Sequence, residues 1–249
     1  MIFLDHLLEL RSKVLVCVAA IVVGALVAHY YHEAIIGFLL RPTKNQQLFF
    51  LSPLDPLFFI LKIDLFGGII LAFPVINWSV LSFIRPAMQK SGWLLLCTLY
   101  FMVSILALCG LGYAFFVIIP ISLQFLLSIN ISGIQNMITA SSYLDFLLVQ
   151  SFIIAIIFQI PIFILAGTYM RAFNADVLSS KRRYIYVGGI IALAVITPTV
   201  DIFNLLIVAV PAAIIYEGSL LAARFLQWRM GAAEHTAPVE KEGQRPDIA

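Results

Sequence analysis

Residues 93–127 read WLLLCTLYFMVSILALCGLGYAFFVIIPISLQFLL, a run without a single charge inside a longer uncharged interval from Lys90 to Asp145. A helix needs about 20 mostly apolar residues to cross the roughly 30 Å hydrocarbon core of a bilayer, and this run has them to spare. Working outward, further apolar runs lie near 14–32, 57–84, 145–170, 185–200 and 203–224. The chain is therefore predicted to be an all-α polytopic membrane protein with six transmembrane helices. The fifth run is short: about 16 residues at 1.5 Å each reach roughly 24 Å, so the bilayer should thin around it. Composition points the same way, with 62% of the 249 residues hydrophobic and only 11% charged, against roughly 45–50% and about 25% in soluble domains. A mean hydropathy of +1.04 leaves more apolar surface than one soluble core can hide. The net charge of +2 and the lack of a Lys/Arg-rich block give nucleic acid no surface to bind.

Six spans bring both termini to one side of the membrane. Arg11, Lys13, Arg85, Lys90, Arg171, Lys181, Arg182, Arg183, Arg224, Arg229, Lys241 and Arg245 then fall on that side, while Arg41 and Lys44 fall opposite and Lys62 at the edge of the second span. Cytoplasmic loops retain excess Lys and Arg, so both termini are predicted to be cytoplasmic. On this reading residues 1–12 form a cytoplasmic interfacial helix, 13–225 the membrane domain and 226–249 a cytoplasmic tail. The end of that tail, from Gly231, lacks apolar periodicity and reads as disordered. The first apolar run follows a charged helical segment and lacks a small-residue cleavage site, so it reads as a retained span rather than a leader. Cys17, Cys97 and Cys109 lie in apolar stretches, where a free cysteine is a small hydrophobe.

The charged and polar residues carry what chemistry there is. From Met1 to Ser12, Ile2, Phe3, Leu7, Leu8 and Leu10 interleave with Asp5, His6, Glu9 and Arg11, the pattern of a helix lying along a membrane face. His6 and Glu9 are three apart and Glu9 and Lys13 four apart, so they share one helix surface, which is either merely solvated or a binding face. Gln159 falls within the fourth span, where polar groups are costly and face protein or water. It either ties spans four and five together or meets a polar residue of another chain. Asp201, after Pro198, reads as the cap of the last span, and Glu217 is expected to pair with a basic residue such as Arg183 or Arg224. Lys62 and Asp64 read as residues of the outer headgroup zone. His29 and His32 lack the further ligands of a metal site, and no metal or cofactor is expected. No nucleophile with a base lies in mid-span, so an enzyme is not expected. An ion-coupled small-molecule transporter is the alternative of a different class, although the two halves show no convincing relation.

The string His6-Leu7-Leu8-Glu9-Leu10-Arg11 opens a longer series. It continues with Pro42, Ser52-Pro53-Leu54-Asp55, Lys62, Pro74, Phe83-Ile84-Arg85-Pro86, Gly110 and Pro120. Ser142-Tyr143-Leu144, Phe146, Phe158-Gln159-Ile160-Pro161, Arg183-Tyr184, Thr197-Pro198 with Asp201, Pro211 and Tyr216-Glu217 complete it. In this order and spacing, over about residues 5 to 225, the chain resembles the TatC family, the receptor subunit of the twin-arginine protein translocase. The resemblance implies a concave, glove-like bundle in the bacterial cytoplasmic (inner) membrane. Such a protein binds twin-arginine signal peptides, assembles TatA- and TatB-type single-span partners and further copies of itself, and exports folded proteins using the proton gradient.

Carried over residue by residue, the resemblance assigns signal-peptide binding to Glu9 with Asp5, His6, Arg11, Phe83 and Lys90. It assigns partner-helix binding to Gln159 and Thr197, and loop structure to Pro42, Pro53, Pro74, Pro86 and Asp201. A carboxylate suits this task because it accepts bidentate, charge-assisted hydrogen bonds from a guanidinium. Phe83 reads equally well as an interfacial aromatic. Two departures stand out. Gly92 occupies the place of a second family acid, and Ser79 and Leu81 replace a glutamine and a tryptophan. One carboxylate, with Asp5 nearby, is then left for two arginines, as in a paralogue with altered cargo recognition. Gln159 stands where the family often has glutamate, which removes a titratable group and with it a proton-relay role.

Overall fold

The structure, a computed structural model, describes residues 2–43, 46–84, 93–129, 137–169, 175–196 and 202–235; at 2–7, 84, 95 and 229–235 it describes backbone alone. In chain order it runs through α1 (Ile2–Tyr30), α2 (His32–Leu39), a 3-10 turn at Arg41–Thr43, β1 (Leu48–Phe49) and α3 (Asp55–Ile84). Next come α4 (Trp93–Tyr113), a π-helical turn (Ala114–Ile118), α5 (Ile119–Ser128), β2 (Ile138–Thr139) and α6 (Ala140–Ile157). The chain ends with α7 (Ile160–Tyr169), α8 (Ala175–Ser180), α9 (Arg182–Ile196) and α10 (Ile202–His235).

Among the described residues, five stretches are long and apolar enough to cross a membrane: Leu8–Tyr30, Asp55–Phe83, Leu96–Ser128, Ala140–Tyr169 and Ile202–Trp228. With the 15-residue α9, they coincide with the six apolar runs of the sequence. Two boundaries differ from expectation. Residues 2–12 are the first turns of one unbroken α1, because no Gly or Pro before Gly24 interrupts it. At the other end α10 continues to His235, so Gly231 to His235 are helical where a disordered tail was expected. Residues 236–249 lie outside the described residues.

Small residues set the contact between α1 and α3. A Cβ on Gly24 would stand 2.7 Å from the Gly68 carbonyl oxygen, and one on Gly68 would stand 2.8 Å from the Ala25 nitrogen and the Ile21 oxygen. Such close backbone approach is how spans associate when lipid is as apolar as leucine. Further along, His29 meets Asp64, so α1 and α3 run antiparallel and pack along their length.

Prolines shape the other spans. Pro120 has no N–H for the Phe116 carbonyl, and just there the third span adopts π geometry, the Ile119 N–H reaching back to the Ala114 carbonyl. Pro161 likewise cannot donate to Ile157, and the fourth span breaks at Phe158-Gln159 between α6 and α7. Pro74 and Pro211, in contrast, sit inside unbroken α3 and α10.

On the side opposite the termini the loops are tied down. Asp55 Oδ2 accepts hydrogen bonds from the Leu51 and Ser52 N–H groups, each at 3.0 Å, across Pro53 at the start of α3. Pro42 lies in the 3-10 turn, where Thr43 Oγ1 donates to the Leu40 carbonyl at 2.7 Å. The Tyr143 hydroxyl donates to the Leu39 carbonyl at 2.6 Å and joins α6 to the end of α2. A short parallel ladder, Leu48 to Ile138 and Phe49 to Thr139, joins the two loops on this side. Beneath it, Phe59, Ile63, Phe115, Ile119, Leu144 and Leu147 form a buried cluster. Outward-facing residues such as Phe116, 68% exposed, and Phe163, 71% exposed, find an apolar environment only in lipid.

Candidate functional site

The antiparallel contact of α1 and α3 assembles the first candidate site. Glu9 lies fifteen residues before Gly24 on α1, and Phe83 lies fifteen residues after Gly68 on α3. The two are therefore level, at the end of the bundle where α1 begins and α3 finishes. Glu9 and Phe83 are half-buried and Arg11 is exposed. Asp5 and His6 occupy the turn of α1 before Glu9, with only their backbone described. Lys90, Pro86 and Gly92 lie outside the described residues. Beside Phe83, Trp78 packs edge-to-face on Trp93 and on Tyr100, with centroids 5.6 and 5.8 Å apart. Asn77 ties this part of α3 to α4, donating from Nδ2 to the Tyr100 carbonyl and to Ser104 Oγ, both at 3.0 Å.

Gln159 forms the second candidate. The break before Pro161 turns its side chain toward α4, where Nε2 donates to the Val103 carbonyl at 3.4 Å. Oε1 is buried and has no hydrogen-bond partner among the described residues. Around the amide lies an apolar cleft of about 190 Å³, walled by Phe66, Ile70, Phe73, Ser104, Leu108 and Phe152. The expectation that Gln159 ties spans four and five together is thus corrected: its amide hydrogen-bonds the third span, across the break before Pro161. Thr197 and Asp201 lie outside the described residues.

Several ion pairs were illegible in the sequence. Glu217 pairs with neither Arg183 nor Arg224. Its Oε1 accepts from the Tyr186 hydroxyl at 2.5 Å, and its Oε2 lies 3.2 Å from Arg182 Nη2. Arg224 instead donates to Ser179 Oγ at 2.7 Å and approaches Asp176 at 3.7 Å. On the opposite side, Asp64 is not a free headgroup-zone residue: it is 8% exposed and its Oδ2 lies 2.8 Å from His29 Nδ1. Lys62 Nζ lies 2.5 Å from Asp145 Oδ1 and joins α3 to α6. The only hint in the sequence was that each charge sits beside a long apolar run; the partners are 35 and 83 residues away. His32 Nδ1 is 2.6 Å from the His29 carbonyl oxygen, which places that ring on its own helix end.

A helical bundle of long apolar spans, with a half-buried acid at its terminal end and apolar clefts on its surface, defines the chain as a multi-pass membrane protein. Comparison with known proteins then fixes its relationship. Residues 5–211 match the family model of TatC, Sec-independent protein translocase protein. The chain is 29% identical to the TatC of Carboxydothermus hydrogenoformans over 91% of its own length and 94% of that protein. It is 28% identical to the TatC of Escherichia coli K12 over 89% of its own length and 88% of that protein. A crystal structure described as the twin arginine translocase receptor TatC superposes with a TM-score of 0.79, at 28% identity, over 88% of this chain and 99% of that one. The chain belongs to the TatC family.

Proposed function

We propose that this protein is the receptor and scaffold of a twin-arginine translocation complex, binding twin-arginine signal peptides at Glu9 and Phe83 on the cytoplasmic face. The observation that carries the reading is the level placement of these two residues by the Gly24–Gly68 contact, within a chain of the TatC family. The half-buried carboxylate supplies a charge-assisted partner for a guanidinium, worth about 1.5–3 kcal/mol, and the arene offers a face to the apolar part of the peptide. Asp5, His6, Arg11 and Lys90 complete the electrostatic surroundings. The whole has six spans with both termini in the cytoplasm, α9 crossing a locally thinned bilayer.

Gln159, in its cleft between α3, α4 and α6, receives a polar residue from a TatA- or TatB-type single-span helix, and Thr197 contributes to binding the same partner. Several copies assemble in the cytoplasmic membrane and export folded cargo on the proton gradient, without catalysis by this subunit. Gly92 in place of a second acid favours one refinement: paired arginines are held by fewer carboxylates, and cargo recognition is altered accordingly.

Photocrosslinking from position 10, beside Glu9, to a twin-arginine peptide tests the reading. A crosslink that weakens when both arginines become lysine, together with an export defect in Glu9→Ala, is expected. Full export by Glu9→Ala with no crosslink overturns the receptor assignment. In the companion Gly92→Glu variant, peptide affinity should rise roughly tenfold, the yield of one added charge-assisted contact.

A further inference from the structure

A second and larger cleft, about 600 Å³, opens between α1–α3 and the π-helical turn, well separated from Glu9. Its walls are carbon almost throughout: Phe38, Phe66, Leu71, Leu108, Phe115 and Phe116 are typical. The ring of Phe38, part of that wall, stacks on Phe115 with centroids 4.2 Å apart. Directly beyond it, the Arg41 guanidinium stands 5.3 Å from the Phe38 centroid. Arg41 is exposed and has no acidic partner among the described residues. It lies on the side of Lys62–Asp145 and His29–Asp64, the charged level at which the apolar parts of α3 and α6 begin.

A long apolar slot that ends on an unpaired cation at the membrane boundary matches one kind of molecule. We propose that this cleft is a binding site for a phospholipid of the leaflet opposite the termini, its phosphate on Arg41 and one acyl chain in the slot. Arginine suits the headgroup because its fork donates two hydrogen bonds to phosphate oxygens and is weakly hydrated. The apolar walls suit the chain because an acyl group needs no hydrogen bonds. A partner helix held by polar contacts fits less well, because the Ser151 hydroxyl is one of few polar groups lining the slot. The site rests on the membrane placement of the fold and not on the receptor reading.

Gly112 provides a separate handle. It lines the cleft, and a Cβ placed on it meets nothing within 4 Å. A leucine there fills the slot without disturbing the helix, whereas Gly37→Leu, also in open space but outside the cleft, serves as control.

The test is native mass spectrometry of the full chain, delipidated in detergent and then given phosphatidylglycerol or diacylglycerol of the same chain length. Wild type and Gly37→Leu should retain phosphatidylglycerol, with little diacylglycerol and no displacement by inorganic phosphate. Arg41→Gln should bind phosphatidylglycerol roughly tenfold or more weakly, as for a lost charge-assisted contact, and Gly112→Leu should lose it while keeping the wild-type melting temperature. Equal retention of phosphatidylglycerol by wild type, Arg41→Gln and Gly112→Leu overturns the proposal. So does equal binding of diacylglycerol, or a crosslink from position 116 to a single-span partner instead of lipid.

Discussion

Gly24 and Gly68 face each other with no space for a side chain: a Cβ on Gly24 would sit 2.7 Å from the Gly68 carbonyl oxygen. Everything at the terminal end of α1 and α3 inherits its register from this contact. Gly24→Val or Gly68→Val should push the helices apart at an overpacking cost of about 1–3 kcal/mol. Peptide crosslinking beside Glu9 should fall with Glu9 itself intact, whereas Gly37→Val, in open space, should change neither thermal stability in detergent nor crosslinking. Wild-type crosslinking by both glycine variants would show that the helix contact does not position Glu9.

His29 and Asp64 form a second clasp between the same helices, near the other end. Removing His29 leaves a buried carboxylate with neither oxygen bonded, so His29→Ala should destabilise by about 1–3 kcal/mol. In an Asp64→Leu background the same substitution should cost almost nothing. A double-mutant cycle in thermal melts checks this, and equal losses in both backgrounds would refute the coupling.

Gln159 separates structural from assembly roles. Its Oε1 is buried without a partner, so Gln159→Leu, which fits the apolar cleft, should leave the isolated subunit as stable or slightly more stable. Loss of an interhelical hydrogen bond of about 0.6–2 kcal/mol should weaken capture of a single-span partner roughly threefold to thirtyfold. A stability loss with partner capture unchanged would assign the residue to the α4–α6 contact alone.

Glu217 anchors α9, the short helix, to α10 through Tyr186 and Arg182. Glu217→Gln should loosen α9 and speed amide exchange over 182–190. Arg183→Gln should leave exchange unchanged, because the carboxylate is held by its neighbour in sequence. The partly exposed position limits the stability effect to about 1 kcal/mol. Slower exchange, or an equal response to Arg183→Gln, would contradict the observed pairing.

Much of this protein was legible in one dimension because the relevant physics is local. The length of an apolar run against the thickness of hydrocarbon predicts a span. The spacing of His6 to Arg11 and the ordered proline and acid motifs announced the family that the comparisons then matched. Pro120 and Pro161 sit where helices change geometry while Pro74 and Pro211 sit in unbroken ones, so a proline by itself did not say which span would break. The candidate site was half readable: the resemblance grouped Glu9 with Phe83, but the helix contact that sets them level was not legible.

What required the tertiary structure were relations between distant residues. The level placement of Glu9 and Phe83 depends on two glycines that sequence reading had no reason to match. Gln159 was identified as a polar group in lipid, yet its contact with Val103, 56 residues away, follows from how Pro161 turns the chain. Glu217 takes Arg182 and not Arg183 because successive helical residues point about 100° apart, so a one-residue shift selects a different face. The sequence by itself determined that the chain lives in a membrane and where its long apolar stretches fall, since hydrophobicity adds up residue by residue. Which charges meet, which clefts open to lipid and where Arg41 stands over Phe38 were decided by packing, which depends on the whole bundle at once.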